Sequence, residues 1–129
     1  MTQVSDAELA FRGDLAAFER IVDAVLDELP DWVVERIDNL HVVVQDSPTP
    51  NQAEHGATLL GLYEGVMLKD RGMNYFAAAP DRISIFREEH LRMARSPGHL
   101  ARQIRKTVLH EMAHHLGIDD DRLHELGWG

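Results

Sequence analysis

The sequence predicts an α+β domain, and three observations carry that expectation. Apolar residues recur at three-and-four spacing near both ends of the chain, as amphipathic helices require. Between them lie short β-branched or apolar runs bounded by proline, glycine, asparagine and aspartate, which read as strands. The order helix, strands, helix argues against an alternating βαβ array. A length of 129 residues fits one domain, 1–129, with a single core.

Ser5-Asp-Ala-Glu8 is a capping box that opens a first helical stretch, which is reset at Gly13. Leu15, Phe18, Ile21, Val22, Val25, Leu26 and Leu29 then mark an amphipathic helix ending before Pro30. Asp31 to Ile37 adds a short helical turn. Asn39 to Asp46 (NLHVVVQD) is a first strand, and Ser47 to Gly56 is expected to be a loop from its proline, asparagine and glycine content. Leu59 to Met67 (LLGLYEGVM) reads as a second strand whose two glycines suggest a bulge or an exposed edge. Asp70-Arg71-Gly72 marks a turn, Arg82 to Phe86 (RISIF) a third strand, and Glu88 to Arg95 a brief helix.

The last helix is expected from about Gly98 to Leu116. Ala101, Val108, Met112 and Leu116 form its apolar side, with Ile104 and Leu109 flanking them. Gly117 stops it, because glycine adopts the left-handed conformation at low cost.

Composition excludes several functions. A hydrophobic content of 44% and a charged content of 27% describe a globular chain. The formal net charge of −9 opposes nucleic acid and anionic membranes as main partners. Arg92, Arg95, Arg102, Arg105 and Lys106 gather locally, and their spacing reads as a solvated helix face. The chain holds no cysteine, which rules out disulfides, thiol catalysis and thiolate zinc sites. No secretory signal is recognisable, and no apolar run approaches the roughly 20 residues that span a bilayer. A soluble cytoplasmic protein is the expectation.

The chemistry concentrates in HEMAHHLGIDDDRLHELGWG, His110 to Gly129, which holds four of the eight histidines. His110-Glu111-Met112-Ala113-His114 is H-E-x-x-H on the last helix. Residues four apart stand about 40° from each other around the axis and about 6 Å apart along it, so both imidazoles converge on one ion. Zinc takes imidazole nitrogen, and a catalytic zinc keeps a position open for water. Glu111 is the candidate general base for that water. Gly117 and Asp120 extend the pattern to H-E-x-x-H-x-x-G-x-x-D. The glycine lets the chain turn back, and Asp120 becomes the candidate third ligand, with His124 and Glu125 as rivals for that place. Asp120 also competes with Asp119 and Asp121 to cap a final short helix, DRLHEL. His115, about 100° from His114, is expected to be partly exposed or to support the ligands from behind.

This stretch resembles the signature of the minimal zincin-like metallopeptidases, small bacterial proteins with a compressed zincin fold. NLHVVVQDSP, LLGLYEG and RISIFRE resemble that family's strand segments, so the likeness covers most of the chain. The resemblance implies N-terminal helices, a small mixed sheet of about three to four strands and a long active-site helix. It also implies zinc, or another divalent ion, held by His110, His114 and Asp120, and peptide hydrolysis with Glu111 as the base. At the third-ligand position histidine is commoner than aspartate. The methionine turn of larger metzincins is missing as well, and Trp128 is one candidate floor for the site. Glu125 is a candidate hydrogen-bond partner for a ligand imidazole. His124, Tyr63 and Tyr75 are candidate oxyanion donors. An extended or unfolded peptide is the expected substrate, pairing with LLGLYEG if that strand lies at the sheet edge. The alternatives are a non-catalytic metal-binding domain and a peptide-interaction module that retains the fold.

Overall fold

The computed structural model describes residues 3–54, 60–72 and 80–128, and of Asp120 the backbone only. Tyr75 and the start of the expected second strand lie outside them. Helix α1 (Asp6–Phe11) begins where the Ser5 hydroxyl accepts from the Glu8 N–H at 3.1 Å. Gly13, at φ 105°, turns the chain into α2 (Leu15–Asp27), which is capped by Asp14. A short α3 (Asp31–Arg36) leads into strand β1 (Leu40–Gln45).

The expected loop after β1 contains a helix, α4 (Pro50–Glu54). Thr49-Pro-Asn-Gln52 is itself a capping box. The Gln52 N–H donates to the Thr49 hydroxyl at 3.1 Å, and the Thr49 N–H donates to the Gln52 side-chain oxygen at 3.0 Å. Pro50 takes the first helical position, where its missing N–H costs nothing.

Strand β2 is shorter than expected, Gly61–Glu64, and is followed by a single 3-10 turn, Leu68–Asp70. Strand β3 (Asp81–Phe86) lies between the other two. It runs parallel to β1, with Val42 opposite Ile83, and antiparallel to β2, with Tyr63 opposite Ile83. The sheet is therefore mixed, with the order β1-β3-β2 among the described residues. Helix α5 (Arg87–Met93) follows β3 directly, and α6 (Pro97–Leu116) starts at a Ser96 cap that accepts from the His99 N–H.

Helix α6 packs on α1 and α2 along one side and on β2 and β3 along another. Phe18, Val22 and Val25 of α2 meet Ile83 and Ile85 of β3 and Leu100, Ile104, Val108 and Met112 of α6 in one core. Covering α6 from two sides widens its buried sector beyond the expected stripe. Ala101 and Leu116 are only half-buried, whereas Leu100, Ile104, Thr107, Glu111 and His115 are buried. At the chain's end Trp128 stacks on Trp32 of α3, with ring centroids 6.2 Å apart and planes 14° apart, and the Arg36 guanidinium lies over Trp32. A long helix over a small mixed sheet, with helices at the amino end, is the α+β arrangement that the sequence predicts.

Candidate metal centre

Helix α6 places His110, Glu111 and His114 together. One ligand atom from each lies within 4.8 Å of the other two. The two imidazole rings sit edge to face with centroids 4.7 Å apart. His114 is half-exposed, and its Nδ1 stands 3.2 Å from Oε1 of Glu111, whose side chain is only 3% exposed. The two imidazoles, with the Glu111 carboxylate beside them, fit a site for a divalent ion. A cavity of about 320 Å³ opens beside them, lined by Leu60, Met93, Thr107, His110 and Glu111 among others.

The burial of Glu111 depends on β2. A Cβ at Gly61 would lie 2.8 Å from the Thr107 methyl, 3.2 Å from the Ser84 carbonyl oxygen and 3.4 Å from Cγ of Glu111. Only a residue without a side chain lets the strand approach α6 this closely. Gly65 has a different task. At φ 149° it ends the strand, and a Cβ there would overlap the Asp81 carboxyl group. The glycines of LLGLYEG thus mark close approach rather than a bulge.

Asp81 is the centre of a buried polar cluster that the sequence reading missed. Its carboxylate accepts from the Tyr63 hydroxyl, from Nδ1 of His115 at 2.9 Å and from the Val66 N–H at 3.2 Å. The Arg71 guanidinium stands 2.7 Å away and also bridges to Asp38 at 2.8 Å and to the Val66 carbonyl at 2.9 Å. Burial pushes the Asp81 carboxyl up, but the hydrogen bonds from Tyr63, His115, Val66 and Arg71 together hold it below its ordinary value.

Of the two expectations for His115, partial exposure is overturned, because the residue is wholly buried. The Asp38 N–H donates to its Nε2 at 3.3 Å, so Nδ1 carries the proton that faces Asp81. Burial lowers its pKa, against the opposing pull of Asp81. The signal for this was available. Residues 104, 108, 111 and 115 fall within about 60° of one another at 100° per residue, so His115 shares the buried stripe.

Other expectations shift as well. Glu125 is exposed and pairs with Arg122 at 2.9 Å rather than with a ligand imidazole, and His124 is exposed. Neither joins the cluster of His110, Glu111 and His114. Trp128 stacks on Trp32 and serves as a clasp rather than a floor. The Tyr63 hydroxyl is directed to Asp81, and its ring lies edge-on to His114 at 6.5 Å.

Gly117 ends α6 at φ 74°, with the Ile118 N–H donating to the Ala113 carbonyl at 2.9 Å. Helix α7 (Asp120–Glu125) begins three residues later. Asp119 is its cap, accepting from the Arg122 N–H at 2.8 Å, so Asp120 is not needed for that purpose. The Asp120 side chain, the expected third ligand, lies outside the described residues.

A mixed three-stranded sheet crossed by a long helix that carries H-E-x-x-H defines a zincin-like domain. A profile of the zincin-like metallopeptidase family matches residues 37–128, well over half of the chain, and the protein belongs to that family. No curated protein matches the chain. Among the described residues no helix is long and apolar enough to cross a membrane.

Proposed function

We propose that the protein is a metal-dependent peptidase that uses zinc, with His110, His114 and Asp120 as its ligands and Glu111 as its general base. The observation that carries this reading is the buried Glu111 carboxylate, held 3.2 Å from His114 at the wall of an open cavity. A surface helix acid has no reason to be enclosed there, and a purely structural metal site has no need of a base. Bound in the cluster, a divalent ion supplies Lewis acidity for polarising a carbonyl and acidifying water. The protein's own groups do the rest. Glu111 takes a proton from the attacking water and returns it to the leaving amine. Its enclosure between α6 and β2 keeps bulk water from competing for that proton. Leu60, next to β2, lines the cavity beside Glu111, and an extended peptide would lie along it there. Gly117, left-handed at the end of α6, allows the chain to turn back, and in this reading Asp120 completes the ligand set.

The test pairs metal content with peptide hydrolysis in the wild type and in Glu111→Gln. Equal, stoichiometric metal and a loss of about 10²–10⁴-fold in hydrolysis are expected for the variant, the usual worth of a general base. Equal turnover by both proteins, or failure of the wild type to take up a divalent ion, would overturn the assignment.

A further inference from the structure

The row of side chains that carries His110 and His114 continues toward the start of α6. Counting back by four gives Lys106 and then Arg102, each about 40° and about 6 Å from the next. Both are exposed, as is Arg105 on the adjoining row. None of these three cations forms an ion pair among the described residues, whereas Arg12, Arg20, Arg71, Arg87, Arg92 and Arg122 all do. What sets them apart is their grouping: three exposed positive charges within five residues of one helix, in a chain with 22 acidic residues and a net charge of −9.

Two cavities flank this row and share Lys106. The first, of about 320 Å³, runs from His110 and Glu111 between Leu60, Met93 and Thr107. The second, of about 250 Å³, is lined by Arg102, Arg105, Leu109 and Trp128. On the sequence these cations read as a solvated face. Trp128, brought back after α7 and stacked on Trp32, makes that face one wall of a cleft.

We propose that Arg102, Arg105 and Lys106 dock an acidic segment of the polypeptide substrate, while an apolar substrate side chain occupies the cavity beside Glu111. This rests on the peptidase reading and names its substrate class. Arg102 stands about 12 Å along the axis from His110, which an extended chain covers in about four residues. The acids therefore lie about two to four residues from the cleaved bond. A short acidic run fits three cations set in a negatively charged protein. Nucleic acid, with a charge every ~1.7 Å along a duplex, needs a far longer basic surface.

Fluorescence anisotropy with zinc-loaded Glu111→Gln protein tests this. One labelled peptide carries a leucine and three neighbouring glutamates, and its counterpart carries glutamines. The acidic peptide should bind about tenfold more tightly at low salt, the sum expected of three exposed pairs, and the advantage should shrink as salt rises. Adding Arg102→Glu and Lys106→Glu should abolish the advantage and transfer it to a lysine peptide. The neutral pair Arg102→Gln and Lys106→Gln should fall between. Zinc content and circular dichroism report that these surface variants fold. No difference between acidic and glutamine peptides, or a difference that survives charge reversal, overturns the proposal. Tighter binding of a single-stranded oligonucleotide at the same salt also overturns it. Because binding is read without the base, the two failures are distinguishable: absence of hydrolysis by the wild type overturns the peptidase reading and the substrate role with it, whereas the binding outcomes above overturn the docking of an acidic segment alone.

Discussion

His114 and His115 are neighbours on one helix and do opposite things. They stand about 100° apart around α6. His114 is half-exposed beside Glu111. His115 is fully buried, and both its ring nitrogens are engaged, one with Asp81 and the other with the Asp38 N–H. One imidazole stands in the cluster with His110 and Glu111, and the other is consumed by the fold. Tyr63 stands between them, its ring edge-on to His114 and tilted against His115, its hydroxyl on Asp81. The wall behind the candidate ligand is thus built on the buried cluster. A pair of adjacent histidines divides into site and scaffold by helical phase alone.

That division is most sharply broken by comparing Asp81→Ala with His114→Ala. Removing Asp81 takes the buried counter-ion from a guanidinium that is 7% exposed and the acceptor from a histidine that is wholly buried, and should cost about 3–5 kcal/mol. Removing the half-exposed His114 should cost less than about 1 kcal/mol of apo-protein stability while abolishing tight metal binding. Urea unfolding of the metal-free proteins and zinc titration separate the two. An Asp81→Ala protein as stable as wild type would show that the cluster is not the scaffold described.

A smaller effect is expected at Gly61, where scaffold and site touch. In Gly61→Ala the new methyl would sit 2.8 Å from the Thr107 methyl and 3.2 Å from a backbone oxygen, so β2 must move off α6. A loss of about 1–3 kcal/mol follows from overpacking of this kind. Weaker metal binding should accompany it, because Glu111 loses its enclosure. Unchanged thermal unfolding and unchanged zinc affinity would show that the contact yields without cost.

The two regions also differ in how much of them the sequence disclosed. The site is local. H-E-x-x-H lies within five residues, and helical period alone brings its side chains together. The stop at Gly117 and the caps at Ser5 and Ser96 obey equally short rules. Thr49-Pro-Asn-Gln52 obeys one too, and went unread because proline and asparagine outweighed the capping box. The scaffold is not local. Asp81 and His115 are 34 residues apart, and Asp81 looks like an ordinary turn residue after Pro80. Arg71 likewise sits in what reads as a turn, yet it holds Asp38, Val66 and Asp81 at once. Nothing periodic announces a pairing between distant polar side chains. Only the phase of His115 within the buried stripe gave a hint. The tail misled for a related reason, since Trp128 finds its partner in Trp32, far away along the chain.

The smallest expected effect tests whether the scaffold side of α6 tolerates charge. His90 is buried edge-on to Phe18, with Nδ1 2.8 Å from the Phe86 carbonyl and Nε2 3.0 Å from the Thr107 hydroxyl. Burial lowers its pKa from the ordinary 6.5, outweighing the carbonyl acceptors that raise it. The neutral ring therefore donates from Nδ1 to Phe86. The unfolded chain binds this proton more readily than the fold does. Stability should hold above about pH 6.5 and decline as pH falls from there toward the depressed folded value. One such histidine contributes at most about 1.4 kcal/mol per pH unit within that window. Asp81 does not interfere, because its depressed pKa costs stability only below its ordinary 3.8. Urea midpoints of metal-free protein between pH 7.5 and 5 should fall more steeply for wild type than for His90→Gln, whose amide still reaches hydrogen-bond partners but takes no proton. Parallel slopes would mean that His90 titrates alike in the folded and unfolded chains, and the acid sensitivity of α6 would then have to come from elsewhere.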